Sequence, residues 1–277
     1  MKKSTSKPKL LLLLAGMGLS VLTFTSCDKE EVWPTVPGKP TTGTPSTTPP
    51  PPTTPPPTNQ TPPPVTINSK LKQLGTKVFR YDGQNRLVEL SYTDQAHLGY
   101  TVVYEGDKLV RLNFKAGNNF MLYTYAGDKV VEAVRYYGEN LVNYRYNFEY
   151  RGDKLVKVTS MSYTRSDDGR LGIEEYKYDA AGNLTELTQA WSTSSKPEDL
   201  GRPMTIRWGG YDDKPNPMPY ADSGYYLPGV KLFENNPGFR DEEIYSYTYH
   251  ASGMPAQRNT KLQAYPHVPP FVERYTY

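Results

Sequence analysis

The side chains best suited to catalysis or metal binding in this 277-residue sequence are carboxylates and histidines. The acids cluster at Asp167-Asp168, Glu174-Glu175, Asp212-Asp213 and Asp241-Glu242-Glu243. A glycosidase needs two carboxyl groups about 5–10 Å apart across a cleft, which a sequence cannot test. His97, His250 and His267 occur without a Gly-x-Ser-x-Gly motif, and a single Cys with three His excludes a Cys-based or His-rich metal site. We therefore expect no enzymatic activity, no cofactor and no metal, with a glycan hydrolase as the remaining enzymatic alternative.

A second group of residues that could bind a ligand is aromatic. The candidate ligand-binding residues are Trp191, Trp208, Tyr211, Tyr220, Tyr225 and Tyr226. They lie in or beside segment 192–241, whose prolines and polar runs break the regular pattern of the chain. Aromatic faces stack on the C–H surfaces of sugars, and long irregular segments on regular scaffolds are often functional. The alternative is that the segment is a plug or cap whose aromatic side chains fill one end of the fold.

Repeated hairpins must position these residues. A Tyr-turn-aliphatic unit begins at Tyr81, Tyr104, Tyr125, Tyr150 and Tyr178, with a degenerate copy at Tyr249. The Gly-Asp pairs of the shorter units suit two-residue turns with Gly at positive φ, whereas Asn85 and Gly182 fall where a longer loop needs a left-handed residue.

The strands after the turns alternate in polarity. Val110, Leu112 and Phe114 are expected on one face, with Arg111 and Asn113 on the other. Because sequential hairpins neighbour each other, residues 67–277 are predicted to be an all-β antiparallel meander of about 11–14 strands. A sheet of this kind curls into an open or closed barrel, which shortens or removes its exposed edges.

The N-terminal residues have the pattern of an export signal. Residues 1–26 combine a lysine-rich start with an apolar run too short to span a bilayer, the pattern of a secretory signal peptide. Phe24-Thr25-Ser26-Cys27 resembles a lipobox, which implies lipid anchoring at Cys27. Lys29, Glu30 and Glu31 resemble the export signal of Bacteroidota lipoproteins, which implies an outer-membrane protein that faces the cell exterior.

Residues 27–66 are predicted to be a disordered stalk. Positions 34–64 hold 14 of the 26 prolines, and such runs favour polyproline II without internal hydrogen bonds. Removing the four lysines of the signal peptide leaves 28 basic and 29 acidic residues, so the net charge falls from +3 to −1. A mature chain of this charge does not predict nucleic-acid binding.

The hairpin units resemble the YD repeats of Rhs and teneurin-type shells. The whole layout, including Tyr211 to Pro217 and the late Tyr249 to Pro255, resembles Bacteroidota YD-repeat lipoproteins with a domain of unknown function. That resemblance implies a porin-like barrel and brings no activity. A transmembrane barrel is disfavoured, because charged residues such as Arg145, Glu149, Lys157 and Glu186 interrupt the apolar band it needs.

The sequence as a whole predicts a surface-exposed, non-enzymatic lipoprotein that acts as a ligand-binding module. The expected ligand is a glycan or another cell-surface protein. The alternative is a structural subunit or lid of an outer-membrane assembly.

Overall fold

The structure, a computed structural model, describes residues 64–222 and 224–277. The signal peptide, Cys27, the export signal at Lys29, Glu30 and Glu31, and nearly all of the stalk lie outside these described residues. What the sequence predicts for them stays a prediction.

The described residues form a closed antiparallel barrel of sixteen strands, in which β1 pairs with both β2 and β16. The strands are β1 Gln73–Leu74, β2 Lys77–Tyr81, β3 Leu87–Tyr92, β4 Tyr100–Glu105, β5 Lys108–Phe114, β6 Asn119–Ala126, β7 Lys129–Tyr137, β8 Leu141–Arg151, β9 Lys154–Ser162, β10 Arg170–Tyr178, β11 Leu184–Trp191, β12 Met204–Gly209, β13 Phe239–Arg240, β14 Glu243–Tyr249, β15 Pro255–Leu262 and β16 Phe271–Thr276. Two 3-10 segments, Ala96–Leu98 and Pro197–Asp199, are the helical elements of the described chain. Neither is long or apolar enough to cross a membrane.

The predicted all-β meander is therefore confirmed, and the barrel is closed rather than open. The number of strands exceeds the expected range. The strands β1 and β13 have two residues each, which is too short to show an alternating pattern in the sequence. The segment 192–241 includes β12 and β13. Its described irregular parts are thus 192–203, 210–222 and 224–238.

The predicted turn residues have the expected backbone. The three Gly-Asp turns place Gly at φ between 57° and 66°, and Glu105 pairs directly with Lys108 around one of them. Asn85 (62°) and Gly182 (88°) supply the left-handed residue of the longer loops. The repeat turns thus follow from local sequence.

A β-bulge accompanies every repeat tyrosine, and the sequence gives no sign of it. Val103 pairs with Arg111, but Tyr104 pairs with Leu109, so Val110 is an extra residue. The alternation therefore shifts by one, and Leu109 and Leu112 are both fully buried. Val110, expected on the face of Leu112 and Phe114, is half-buried, and Leu109 is the fully buried residue at the bulge.

The repeat tyrosines join neighbouring hairpins. The Tyr104 hydroxyl donates to the carbonyl of Leu87 at 2.9 Å, and Arg86 lies 4.4 Å over the Tyr104 ring. The same arrangement recurs three hairpins later, where the Tyr178 hydroxyl donates to the carbonyl of Leu155 at 2.8 Å and Lys154 lies 5.3 Å over the ring. The recurring Tyr and basic residues of the motif therefore stabilise the barrel.

The outer wall of the barrel carries ion pairs. Positions that alternate with the core residues pair across strands in Arg80–Glu89, Arg145–Glu132, Lys157–Glu149, Lys177–Glu186 and Arg207–Glu186. Charged pairs therefore lie among the residues of the outer surface.

Candidate functional site

The two ends of the barrel differ. The repeat turns lie at one end, which we call the turn end, and the connections from β3 to β4 and from β9 to β10 lie at the other, the loop end. Residues 210–222 and 224–238, which we call the plug, leave β12 and rejoin β13 at the turn end.

The plug packs inside the barrel. The ring of Tyr225 lies 5.1 Å from that of Tyr146 and 5.4 Å from that of Phe148, both on β8. The Tyr123 hydroxyl of β6 accepts the backbone N–H of Tyr226 at 3.2 Å. This arrangement is the plug that the sequence left open as an alternative.

The six aromatic candidates occupy three different environments. Trp208, Tyr225 and Tyr226 are buried in the core, and Tyr211 and Tyr220 pack against it. Trp191 is 52% exposed and ends β11 at the loop end. The structure brings the Tyr220 and Tyr225 hydroxyls within 3.1 Å, but it places Trp191 away from the plug. Ligand binding by these residues stays a prediction.

A chain of hydrogen bonds ties the plug to β10. The Tyr176 hydroxyl donates to Glu174 at 2.6 Å and lies 3.0 Å from the Tyr220 hydroxyl, while Gln189 donates to the same carboxylate at 2.8 Å. Burial raises the pKa of Glu174. It also raises the pKa of Tyr176 and Tyr220 well above the ordinary value. The hydroxyls of this chain satisfy one another, which favours a structural role.

Acidic residues from three of the four clusters make separate local contacts. Glu174 faces the interior, whereas Glu175 pairs in register with Lys157 on the outer wall. Asp212 accepts the Asn236 side-chain amide at 3.2 Å, and Asp241 accepts the backbone N–H of Arg207 at 2.8 Å. Within 64–222 and 224–277, no three His, Cys, Asp or Glu side chains are arranged to hold a metal ion.

A cavity of about 270 Å³ lies at the turn end between the plug and the first repeat. Two of the aromatic candidates, Tyr220 and Tyr226, line it, and its polar lining includes Asn85, Asn216, Lys70 and Lys231. Asn216 is buried, and its side-chain Oδ1 accepts the backbone N–H of Met218 at 2.9 Å. Asn216 therefore contributes a polar side chain to the cavity lining.

The inner wall near the loop end contains polar residues that the sequence analysis missed. Register places Arg135, Tyr144, Ser162 and Arg170 in one row across β7 to β10. A second row contains Tyr146, Ser160, Gly172 and Trp191. We call these two rows the loop-end wall. Ser160 and Ser162 lie opposite Tyr146 and Tyr144 on the neighbouring strand. The sequence could have identified them only if the pairing of these two strands had been known.

Two arginines of the loop-end wall have no acid beside them. The Arg135 guanidinium lies 4.0 Å over the Phe114 ring, and burial lowers its pKa. The Nε atoms of Arg135 and Arg170 are both buried without a hydrogen-bond partner, and neither side chain forms an ion pair with another described residue. The wall can therefore accept negative charge.

Comparison with known proteins supports the fold at low sequence identity. A porin-like protein from Bacteroides vulgatus ATCC 8482 superposes with a TM-score of 0.50 at 13% identity, covering 76% of this chain and 99% of that chain. A porin-like protein from Bacteroides uniformis ATCC 8492 gives 0.47 at 14% identity, with 72% and 88% covered. The fold is that of a porin-like barrel. No protein-family profile and no curated protein matches the sequence.

Proposed function

We propose that this protein is a non-enzymatic outer-membrane lipoprotein, exposed at the cell surface, that binds a glycan at the turn-end cavity. The observation that carries the proposal is the cavity itself, since its lining combines Tyr220 and Tyr226 with the polar residues Asn85 and Asn216. Aromatic faces with a few placed polar groups are typical of small-ligand sites, and the cavity of about 270 Å³ is slightly smaller than the roughly 300–1,000 Å³ of most such sites. A sugar residue suits this space better than a folded protein surface does.

The proposed outer-membrane location with a lipid anchor is supported by the leader sequence and by the charged pairs on the outer wall. A spanning barrel would bury paired charges such as Arg145–Glu132 against lipid, and an arginine at the bilayer midplane costs roughly 2–4 kcal/mol. Anchoring through a lipid at Cys27 avoids this cost. Detergent phase partition of the full chain tests the point: the acylated protein should enter the detergent phase and a Cys27→Ser variant the aqueous phase. Detergent partition of Cys27→Ser would contradict the proposal, as would a failure of antibody to label intact cells.

Ligand binding is tested with the purified full chain on a glycan array, alongside surface cross-linking in cells. We expect array binding that weakens in Lys70→Ala, which removes an exposed polar group of the lining, and that is lost in Met218→Trp, which fills the cavity. Arg80→Ala, an exposed charge on the outer wall, is the matched control and should bind normally. A partner captured only by cross-linking would favour a cell-surface protein as ligand.

Turnover of a polysaccharide, lost in Glu174→Gln, would instead revive the hydrolase alternative. A structural role in an outer-membrane assembly is the second candidate, and the burial of the plug aromatics favours it. It predicts that the folded chain binds no array glycan.

A further inference from the structure

The two unpaired arginines face the same strip of the inner wall. Arg135 pairs in register with Tyr144, Tyr144 with Ser162, and Ser162 with Arg170. Three strand spacings of about 4.8 Å separate the two arginine backbones, a distance on the order of 14 Å. The guanidiniums therefore flank a tyrosine ring and a hydroxyl, with no carboxylate in the row.

Both arginines lie on the inner face. Tyr144 stacks on Tyr146 with ring centres 5.8 Å apart, and Tyr146 contacts the plug residue Tyr225 at 5.1 Å. Arg170 precedes Glu174 on the same strand by two alternations, and Glu174 binds the inward-facing Tyr176. Both arginines are half-buried with a buried Nε that lacks a hydrogen-bond partner. Leaving a desolvated donor unpaired costs stability, so stability alone does not explain two of them in one row.

The next row places two small residues and an indole beside the arginines. Ser160 and Gly172 are small residues between the rings of Tyr146 and Trp191. A Cβ at Gly172 would lie 2.5 Å from the Ser160 hydroxyl and 3.2 Å from the Trp191 ring, so the indole lies against the wall only because glycine is there. Trp191 is 52% exposed, so much of its surface is left for a ligand.

Arg170 and Trp191 are close enough to act on one ligand. Trp191 pairs with Gly172, and Arg170 is two residues from Gly172 on the same face, which makes the two side chains diagonal neighbours. Diagonal neighbours in a sheet are roughly 7–8 Å apart. A guanidinium binds a carboxylate with two parallel hydrogen bonds, and an indole stacks on the C–H face of a sugar.

We propose that the loop-end wall binds a sugar that carries a carboxylate, such as a uronic acid residue of an acidic polysaccharide. The carboxylate pairs with Arg170, and Arg135 attracts a second acidic residue of the same chain. The Trp191 indole stacks on the sugar ring, and the Ser160 and Ser162 hydroxyls bond its oxygens. This site goes beyond the proposed function, because it lies at the opposite end of the barrel from the turn-end cavity.

Isothermal titration calorimetry of the full chain tests the site, with oligogalacturonate and hyaluronan oligosaccharides as probes. The same oligosaccharides with their carboxylates esterified are the neutral comparison. We expect binding of the acidic forms only. Arg170→Gln and Trp191→Ala should each weaken it at least tenfold, and Arg135→Gln by a smaller factor. Arg145→Gln makes the same charge change on the outer wall, where Glu132 pairs with it, and should leave the affinity unchanged.

Several outcomes would overturn the inference. Equal binding of esterified oligosaccharides would remove the role of the carboxylate, and equal loss in Arg145→Gln would show a response to net charge alone. Equal binding of poly-glutamate would indicate an acidic peptide as ligand, and equal binding of phosphate a non-specific anion. No binding of any acidic probe, with array binding intact, would refute this site and leave the turn-end proposal standing. Lys70→Ala and Met218→Trp should not affect the acidic probes, which separates the two sites.

Discussion

Tyr225 tests whether the plug is part of the core. Its side chain is 7% exposed, its ring lies within 6 Å of those of Tyr146, Phe148 and Tyr220, and its hydroxyl is 3.1 Å from that of Tyr220. Truncating a buried aromatic residue to alanine costs about 3–5 kcal/mol. Tyr225→Ala should therefore lower the free energy of unfolding by that amount. Tyr225→Phe keeps the ring and loses one hydroxyl contact, so it should cost only about 0.5–1.5 kcal/mol.

Equilibrium unfolding in guanidinium chloride, followed by tyrosine fluorescence and circular dichroism, measures both values. Tyr137→Ala is the matched control, because that tyrosine is 55% exposed at the end of β7 and its loss should change stability by about 0.5 kcal/mol or less. Limited proteolysis of Tyr225→Ala should also open cleavage sites within the plug. A Tyr225→Ala variant within about 1 kcal/mol of the parent, with the plug still resistant to protease, would refute the packing described above.

Three further predictions concern the repeats and the interior. Tyr178→Phe removes the 2.8 Å hydrogen bond to the Leu155 carbonyl and should cost about 1 kcal/mol in chemical denaturation; no loss would mean that the bond contributes nothing to the hairpin pairing. Gly106→Ala, at φ +58°, should cost about 1 kcal/mol, whereas Gly83→Ala, which has open space and no positive φ, should cost less; equal thermal stabilities would contradict the turn geometry. Burial raises the pKa of Glu174 above its ordinary 4.5, so the folded state retains a proton that the unfolded chain has lost and stability should fall as pH rises above about 4.5. Denaturation at a series of pH values should show this component in the parent and not in Glu174→Gln, and identical slopes would argue against it.

The fold follows from the sequence where local chemistry decides it. Gly106, Asn85 and Gly182 occupy the left-handed positions that the repeat pattern assigns to them. The bulges at the repeat tyrosines did not follow, because a bulge depends on how two strands pair, and Val110 differs little from Leu109 in hydrophobicity. The sequence left an open or a closed barrel undecided for the same reason, since closure depends on the pairing of β1, a strand of two residues.

The candidate site was less accessible to sequence reasoning. The aromatic residues of the irregular segment are visible as a group, but their burial depends on whether the segment enters the barrel. Arg135, Ser160 and Arg170 lie on three different strands and come together only through the register of four strands. A single sequence does not give that register, because a strand pair can slip by two residues without changing the face on which each side chain lies.

Ligand binding at the turn-end cavity is tested most directly by the array affinity of the full chain compared with its Met218→Trp variant. Both proteins should unfold at similar denaturant concentrations, which establishes that the larger side chain fills space without disrupting the barrel. A glycan that binds the parent and not Met218→Trp is the predicted result. Equal binding by the two folded proteins, or no glycan bound by the parent, would contradict a function in ligand binding at this cavity.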